Sequence, residues 1–321
     1  MKKTMINQVH TEGYLYEHKI EKKISKEGQE FYRGTVSVAT DENCANIVTY
    51  EFIYVTPTYS KSGKENKNYK VLENIYSSGK TKTVMAAGKE NALKLKIDGV
   101  IGVNDFYSDR DKQIITLVRN EASFINVVSY LNEDEKKRNV FKADFLITGV
   151  FRKEAEPEKS LPERANIKGA LFNDYSKTLI PVTFTAYNQG AISYFESLEA
   201  SSSNPVFTQV AGQIQAQEII SVTETEGAFG EALVEERRST RKEYVITWAK
   251  GETYAWDDEE TLTANELKEM MGKRELHLAE VQKNFEEYQK SKGAASNAGT
   301  STESIATAAN NAVTASSDFI F

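Results

Sequence analysis

The hydrophobic period of the chain changes twice between Phe145 and Trp248, and this limits the possible folds more than any other feature. Phe145–Phe151, Asn166–Phe172 and Leu179–Tyr187 are short runs rich in β-branched and aromatic residues. The charged stretch Glu154–Pro162 and the Asn173-Asp174 turn separate them, so they read as three strands. At Gly190–Glu199 the period becomes helical, with Ile192, Tyr194, Phe195 and Leu198 on one face. Ser201–Pro205 ends that helix. Phe207–Val222 returns to strand with Gly212 inside it, Gly227–Thr240 is a polar excursion, and Tyr244–Trp248 is a final strand.

Three strands, a short helix and two strands is the element order of an OB-fold, a five-stranded barrel with its helix after the third strand. Periodicity alone also admits an SH3-like or sandwich domain. The first half follows the same order with more insertions. Gly13–Ile20 and Phe31–Val38 alternate, Lys26–Gln29 is the turn between them, and Ile47–Val55 is a third strand. Thr56–Asn68 is a polar loop and Asn68–Tyr76 a short helix. Leu93–Gly99 opens a long strand in which Gly99 and Gly102 suggest a bend or bulge. Gln113–Val118 and Phe124–Val128 are further strands, and Asn132–Asn139 is a charged break. The expected fold is therefore mainly β, with two tandem OB-like barrels, a C-terminal helix and a disordered tail. The domains run 1–138 with a loop insertion, 139–260, a helix at 261–292, and a linker with its tip at 293–321.

From Thr263 onward the chain changes character. Thr263-Ala-Asn-Glu266 has the capping-box pattern. Leu267, Met271, Leu278, Val281, Phe285 and Tyr288 then recur at three- and four-residue steps, with Arg274 breaking the stripe. Such a helix packs on its own barrel or serves self-association. From Gly293 to Ser317 nearly every residue is Ala, Ser, Thr, Asn or Gly, which leaves almost nothing to bury. The chain then ends in Asp318, Phe319, Ile320 and Phe321, apolar side chains and carboxylates suited to a partner's pocket.

Charge is unevenly distributed. The net charge of -7 argues against a polycation that coats nucleic acid or anionic membrane. Yet Lys61–Lys96 holds nine lysines against three glutamates, whereas Glu252–Glu260 holds five acids and no base. Lysines interleaved with Tyr54, Tyr59, Tyr69 and Tyr76 suit a groove in which ammonium groups meet phosphates and rings stack on unpaired bases. A solvated lysine loop over half-buried tyrosines is the plainer reading of the same residues.

Other classes receive no support. No apolar stretch is long enough to span a bilayer, and Met1–His10 has no apolar run behind Lys2 and Lys3, so no secretory signal is expected. Cys44 is the single cysteine and fits a reducing, cytoplasmic location. His10, His18 and His277 are scattered, so no metal or cofactor is expected. Asp257, Asp258, Glu259 and Glu260 precede a helix start, where the helix dipole favours acids, and no catalytic constellation appears.

Ile180–Leu198 resembles the third strand and helix of bacterial and phage single-stranded-DNA-binding proteins of the OB-fold type. Phe207–Ile214 is similar to the strand after that helix, and Leu146–Arg152 to the first strand. The acid-plus-phenylalanine tip on a low-complexity tail is the family's other mark, although Asp318 stands alone here and Ile320 takes the usual proline position. The resemblance implies a non-enzymatic, sequence-tolerant binder of single-stranded DNA in phage or bacterial replication, recombination or repair. Its tip would recruit replication or recombination proteins. Candidate DNA contacts are Tyr54, Tyr59, Lys61, Lys64, Lys67, Tyr69 and Lys70 in the first barrel. In the second they are Phe151, Arg152, Lys153, Phe172, Lys177, Tyr187, Arg241, Lys242 and Trp248. Alternate strand residues face the core, so about half of the aromatic ones are expected to be structural. The competing reading is a phage structural or adaptor protein of two β-barrels whose tail docks to another component.

Overall fold

A computed structural model describes residues 5–59, 62–159, 161–173, 176–225, 233–256 and 262–295. Ten strands form one sheet that closes on itself twice. The first ring contains β1 (Asn7–Ile24), β2 (Glu30–Ala39), β3 (Ile47–Val55), β4 (Lys94–Ser108) and β5 (Gln113–Val128). It runs β1-β2-β3-β5-β4 and returns to β1, antiparallel throughout except for β3 beside β5. The second ring repeats this order with β6 (Asn139–Lys153), β7 (Arg164–Asn173), β8 (Thr178–Ala186), β9 (Val206–Thr225) and β10 (Leu233–Ala249). Both are OB-like barrels, joined by residues 129–138; the last residue of the charged break, Asn139, already belongs to β6.

Closure depends on long first strands that change partner along their length. Asn7–Thr11 of β1 pairs with β6, Val9–Tyr14 with β4, and Tyr14–Ile24 with β2. A bulge between Leu15 and Glu17 turns the strand. Gly13 lies just before it, where a Cβ would run into the Ala39 carbonyl oxygen. In the second barrel β6 does the same with β9 and then β7, with its irregularity between Ile147 and Gly149.

Each barrel is plugged by a helix between its third and fourth strands. In α1 (Lys67–Ser78) the Asn66 side chain accepts from the Asn68 N–H, and Tyr69, Leu72 and Ile75 point into the core. The short turn α2 (Val84–Ala87) follows. In α3 (Gln189–Ser197) the Asn188 side chain accepts from Gly190 and Ala191, and Ile192 and Phe195 are buried. The expected bend in β4 is a bulge between Asp98 and Gly99. Two strand assignments change. Gln113–Val118 and Phe124–Val128 are parts of the single strand β5, because pairing with β4 carries the polar residues between them. Residues 233–240 of the polar excursion are strand as well, since β10 begins at Leu233 and pairs with β9 from there, overriding the low apolar content.

The final helix, α4 (Ala264–Ala295), spans both barrels. Its capping box forms as expected: Glu266 N–H donates to Thr263 Oγ1 at 3.2 Å, and Thr263 N–H donates to Glu266 Oε2 at 3.0 Å. Leu267, Met270 and Met271 pack with Phe172, Leu179 and Phe207 of the second barrel. Further along, Arg274 grips Asp105 of β4 in a bidentate pair at 2.5 and 2.6 Å, and Phe285 stacks on Tyr107 at 4.3 Å. No helix among the described residues is long and apolar enough to cross a membrane.

Burial pushes the Asp105 carboxyl up, but Arg274 and Thr116 outweigh it and hold it below the usual carboxylate range. Glu42, bonded to the buried Arg138 and to Lys89, is held down to about 2. Groups with lowered folded pKa values stabilise the fold above the ordinary carboxylate range, and that stabilisation disappears as pH falls through the folded value. Stability should therefore drop from about pH 5 downward, and Asp105→Asn should shrink the drop while weakening the protein at pH 7. Arg274→Ala leaves a buried carboxylate unpaired and should cost about 3 kcal/mol in urea unfolding. Faster amide exchange in α4 should accompany that loss.

Candidate nucleic-acid interface

In OB-folds that bind oligonucleotides, the second and third strands and the loops flanking them form the binding face. On the first barrel that region carries apolar side chains open to solvent. Tyr54 is 51% exposed, packs against Phe31 at 4.4 Å between ring centroids, and donates to Gln29 at 3.3 Å. Ile53 and Ile24 are also exposed. Pairs between Lys22 and Glu30, and between Arg33 and Glu21, occupy the neighbouring cations. Lys26 in the β1–β2 turn is exposed.

The lysine-rich stretch lies beyond this face. Tyr59 and Lys64 sit exposed in the loop before α1, Lys67 lies on the helix, and Lys70 pairs with Glu65 at 2.6 Å. Lys61 lies outside the described residues. Tyr69 is turned inward, 4.9 Å from Tyr32, and burial pushes its phenol up. It plugs the barrel and offers no face to a bound base. The remaining lysines spread out, with Lys89 on Glu42 and Lys96 near Glu12.

On the second barrel Phe151 is exposed, and Lys168 Nζ stands 4.9 Å over its ring. Arg152 is committed to Glu163 at 2.6 Å, with Glu196 and Gln189 at 3.4 Å. Lys153 and Lys177 are exposed. Phe172 is buried against Phe207 and belongs to the core. Tyr187 donates to the buried Glu243, which also takes Arg241 at 2.7 Å; burial and that carboxylate push the phenol up. Lys242 crosses to the first barrel and donates to Thr49 at 3.0 Å. The surrounding protein lowers its pKa, Glu17 opposes that shift, and its side chain keeps contact with solvent. Trp248 is half exposed on β10. Asp318, Phe319, Ile320 and Phe321 lie outside the described residues.

Four proposed aromatics, Tyr54, Tyr59, Phe151 and Trp248, thus face solvent, whereas Tyr69 and Phe172 do not. Sequence pattern alone does not single out Phe31, Ile53 or Lys168. Phe31 and Ile53 lie in strands already recognised, but only register shows which alternate side chains face out.

The molecule is thus a tandem OB-type barrel protein in which the two rings share one sheet. The chain belongs to the YorF family, whose model matches residues 6–284. No curated protein matches it. Among solved structures, the single-stranded DNA-binding protein from Thermus aquaticus superposes with a TM-score of 0.42 at 11% identity, covering 78% of this chain and 95% of that one. A deletion variant of that protein gives a TM-score of 0.41 at 12% identity, covering 77% and 94%. The OB-like assignment rests on strand order and not on these superpositions.

Burial separates surface from core among the candidates. Tyr54→Ala and Phe151→Ala should each cost no more than about 1 kcal/mol of stability, whereas Phe172→Ala should cost about 3–5 kcal/mol. Thermal unfolding of the three variants checks this.

Proposed function

We propose that this protein binds single-stranded DNA without regard to sequence, protecting or organising it in phage or bacterial replication, recombination or repair. The observation that supports this best is the set of solvent-facing aromatics, Tyr54 and Tyr59 on one barrel and Phe151 and Trp248 on the other. Exposed Lys64, Lys67, Lys153 and Lys177 accompany them. Unpaired bases offer flat faces to such rings, and lysines contact phosphates without reading base edges. Each barrel, 1–138 and 139–260, acts as one binding unit. The reading involves no catalysis, and the tip at Asp318–Phe321 recruits a protein partner.

The test is fluorescence anisotropy with a labelled 30-mer, single-stranded and duplex, across a salt series. Binding should favour the single strand, tolerate sequence changes, and weaken steeply with salt. Lys64, Lys67 and Lys70 changed together to Ala should make the log–log salt slope shallower by up to about two units. No detectable binding of the single strand at low salt would sink the proposal and leave the structural-adaptor reading.

A further inference from the structure

The barrels meet edge to edge where β1 pairs with β6, and an open cleft of about 1480 Å³ lies over that seam, lined from both sides. None of the exposed lysines of the 61–96 stretch lines it. Strand register orders its surface. Gln8 is opposite Lys142, Lys142 opposite Ala211, and Ala211 opposite Trp248. Residues opposed across paired strands share a face, so these four form one row from the first barrel into the second. Two residues along the same strands, Phe124, Asp98, His10 and Val140 form a parallel row on that face.

Phe124 is 56% exposed and Trp248 49% exposed, and they stand at opposite ends of the face. Five strand steps separate β5 from β10, about 24 Å along the curved sheet at ~4.8 Å per step. Between them Lys142 projects from β6, and Lys136 lines the cleft from the connection before that strand. Neither ammonium has a carboxylate partner among the described residues. The acids nearby are already engaged: Asp98 bonds to His10 at 2.6 Å, and Glu121 takes Arg119 at 3.0 Å. Among the described residues the cleft therefore presents positive charge without a carboxylate partner, with Phe124 in its lining and Trp248 on the same sheet face just beyond it.

We propose that this seam is the path by which one nucleic-acid strand passes from the first barrel to the second. Phosphates sit on Lys136 and Lys142, and bases stack on Phe124 and Trp248. The path differs from the faces formed by the second and third strands of each barrel. It rests on the single-strand-binding reading and makes the two barrels one continuous site.

The test uses the full-length chain and oligo(dT) of 10 to 40 nucleotides. Lys136→Glu with Lys142→Glu should weaken binding of the longer oligonucleotides at least tenfold. A control pair on α4, Lys283→Glu with Lys290→Glu, makes the same change in net charge and should have little effect. Phe124→Ala should weaken binding without altering the salt slope. Oligonucleotides carrying 5-iodouracil should photo-crosslink to peptides containing Phe124 and Trp248, and circular dichroism checks that each variant is folded. If the wild type binds and the Lys136/Lys142 pair binds equally well, or loses no more than the control pair, the seam path is wrong while single-strand binding stands. Absence of wild-type binding to any single strand overturns both.

Discussion

Every larger feature of this molecule depends on the double pairing of β1. Over Val9–Thr11 it hydrogen-bonds to β4 on one edge and to β6 on the other, so neither edge is left open. A strand with both edges satisfied exposes no unpaired backbone groups and gives no template for aggregation. The same segment joins the two rings. Side chains reinforce the joint: Tyr244 donates to Asn120 at 2.8 Å, and the Asn46 carboxamide bonds to the β9 backbone at Ile214 and Ala216. Two barrels that could have been beads on a linker are instead one sheet.

The last helix completes that arrangement. Its first turns pack on the second barrel and its middle holds the β4–β5 hairpin of the first through Arg274 and Asp105. In sequence Arg274 interrupts an apolar stripe. In the structure it bridges a long gap along the chain to a buried carboxylate, which needs that guanidinium to remain charged. Asp105 lies on a strand more than a hundred and sixty residues away, so no local pattern could have paired them.

Electrostatics follow the same division. The lysine-rich stretch is conspicuous in sequence, but folding spreads it over a loop, α1 and the start of β4, and glutamates claim Lys70 and Lys89. Lys136 and Lys142 draw no attention in the chain, since Lys136 lies in a mixed-charge break and Lys142 alternates with apolar neighbours. The β1–β6 pairing is what brings them to one cleft, with ring-bearing strands on either side.

Most of the element order was legible in the sequence, the continuity of β5 and the early start of β10 excepted. The change from strand to helical period at Gly190–Glu199 and the Thr263–Glu266 capping box are local signals carried by neighbouring residues. Their physics acts over a turn or two of chain, so pattern suffices to read them. Which alternate residue of a strand faces outward was decided by register, which separated the exposed Tyr54 and Phe151 from the buried Tyr69 and Phe172 once the strands and plug helix were placed. Joining two barrels through β1 and β6, bridging them with Arg274, and gathering Phe124, Lys142 and Trp248 on one face were decided by tertiary structure alone. Those contacts link residues far apart in the chain, and backbone pairing, not local propensity, brings them together.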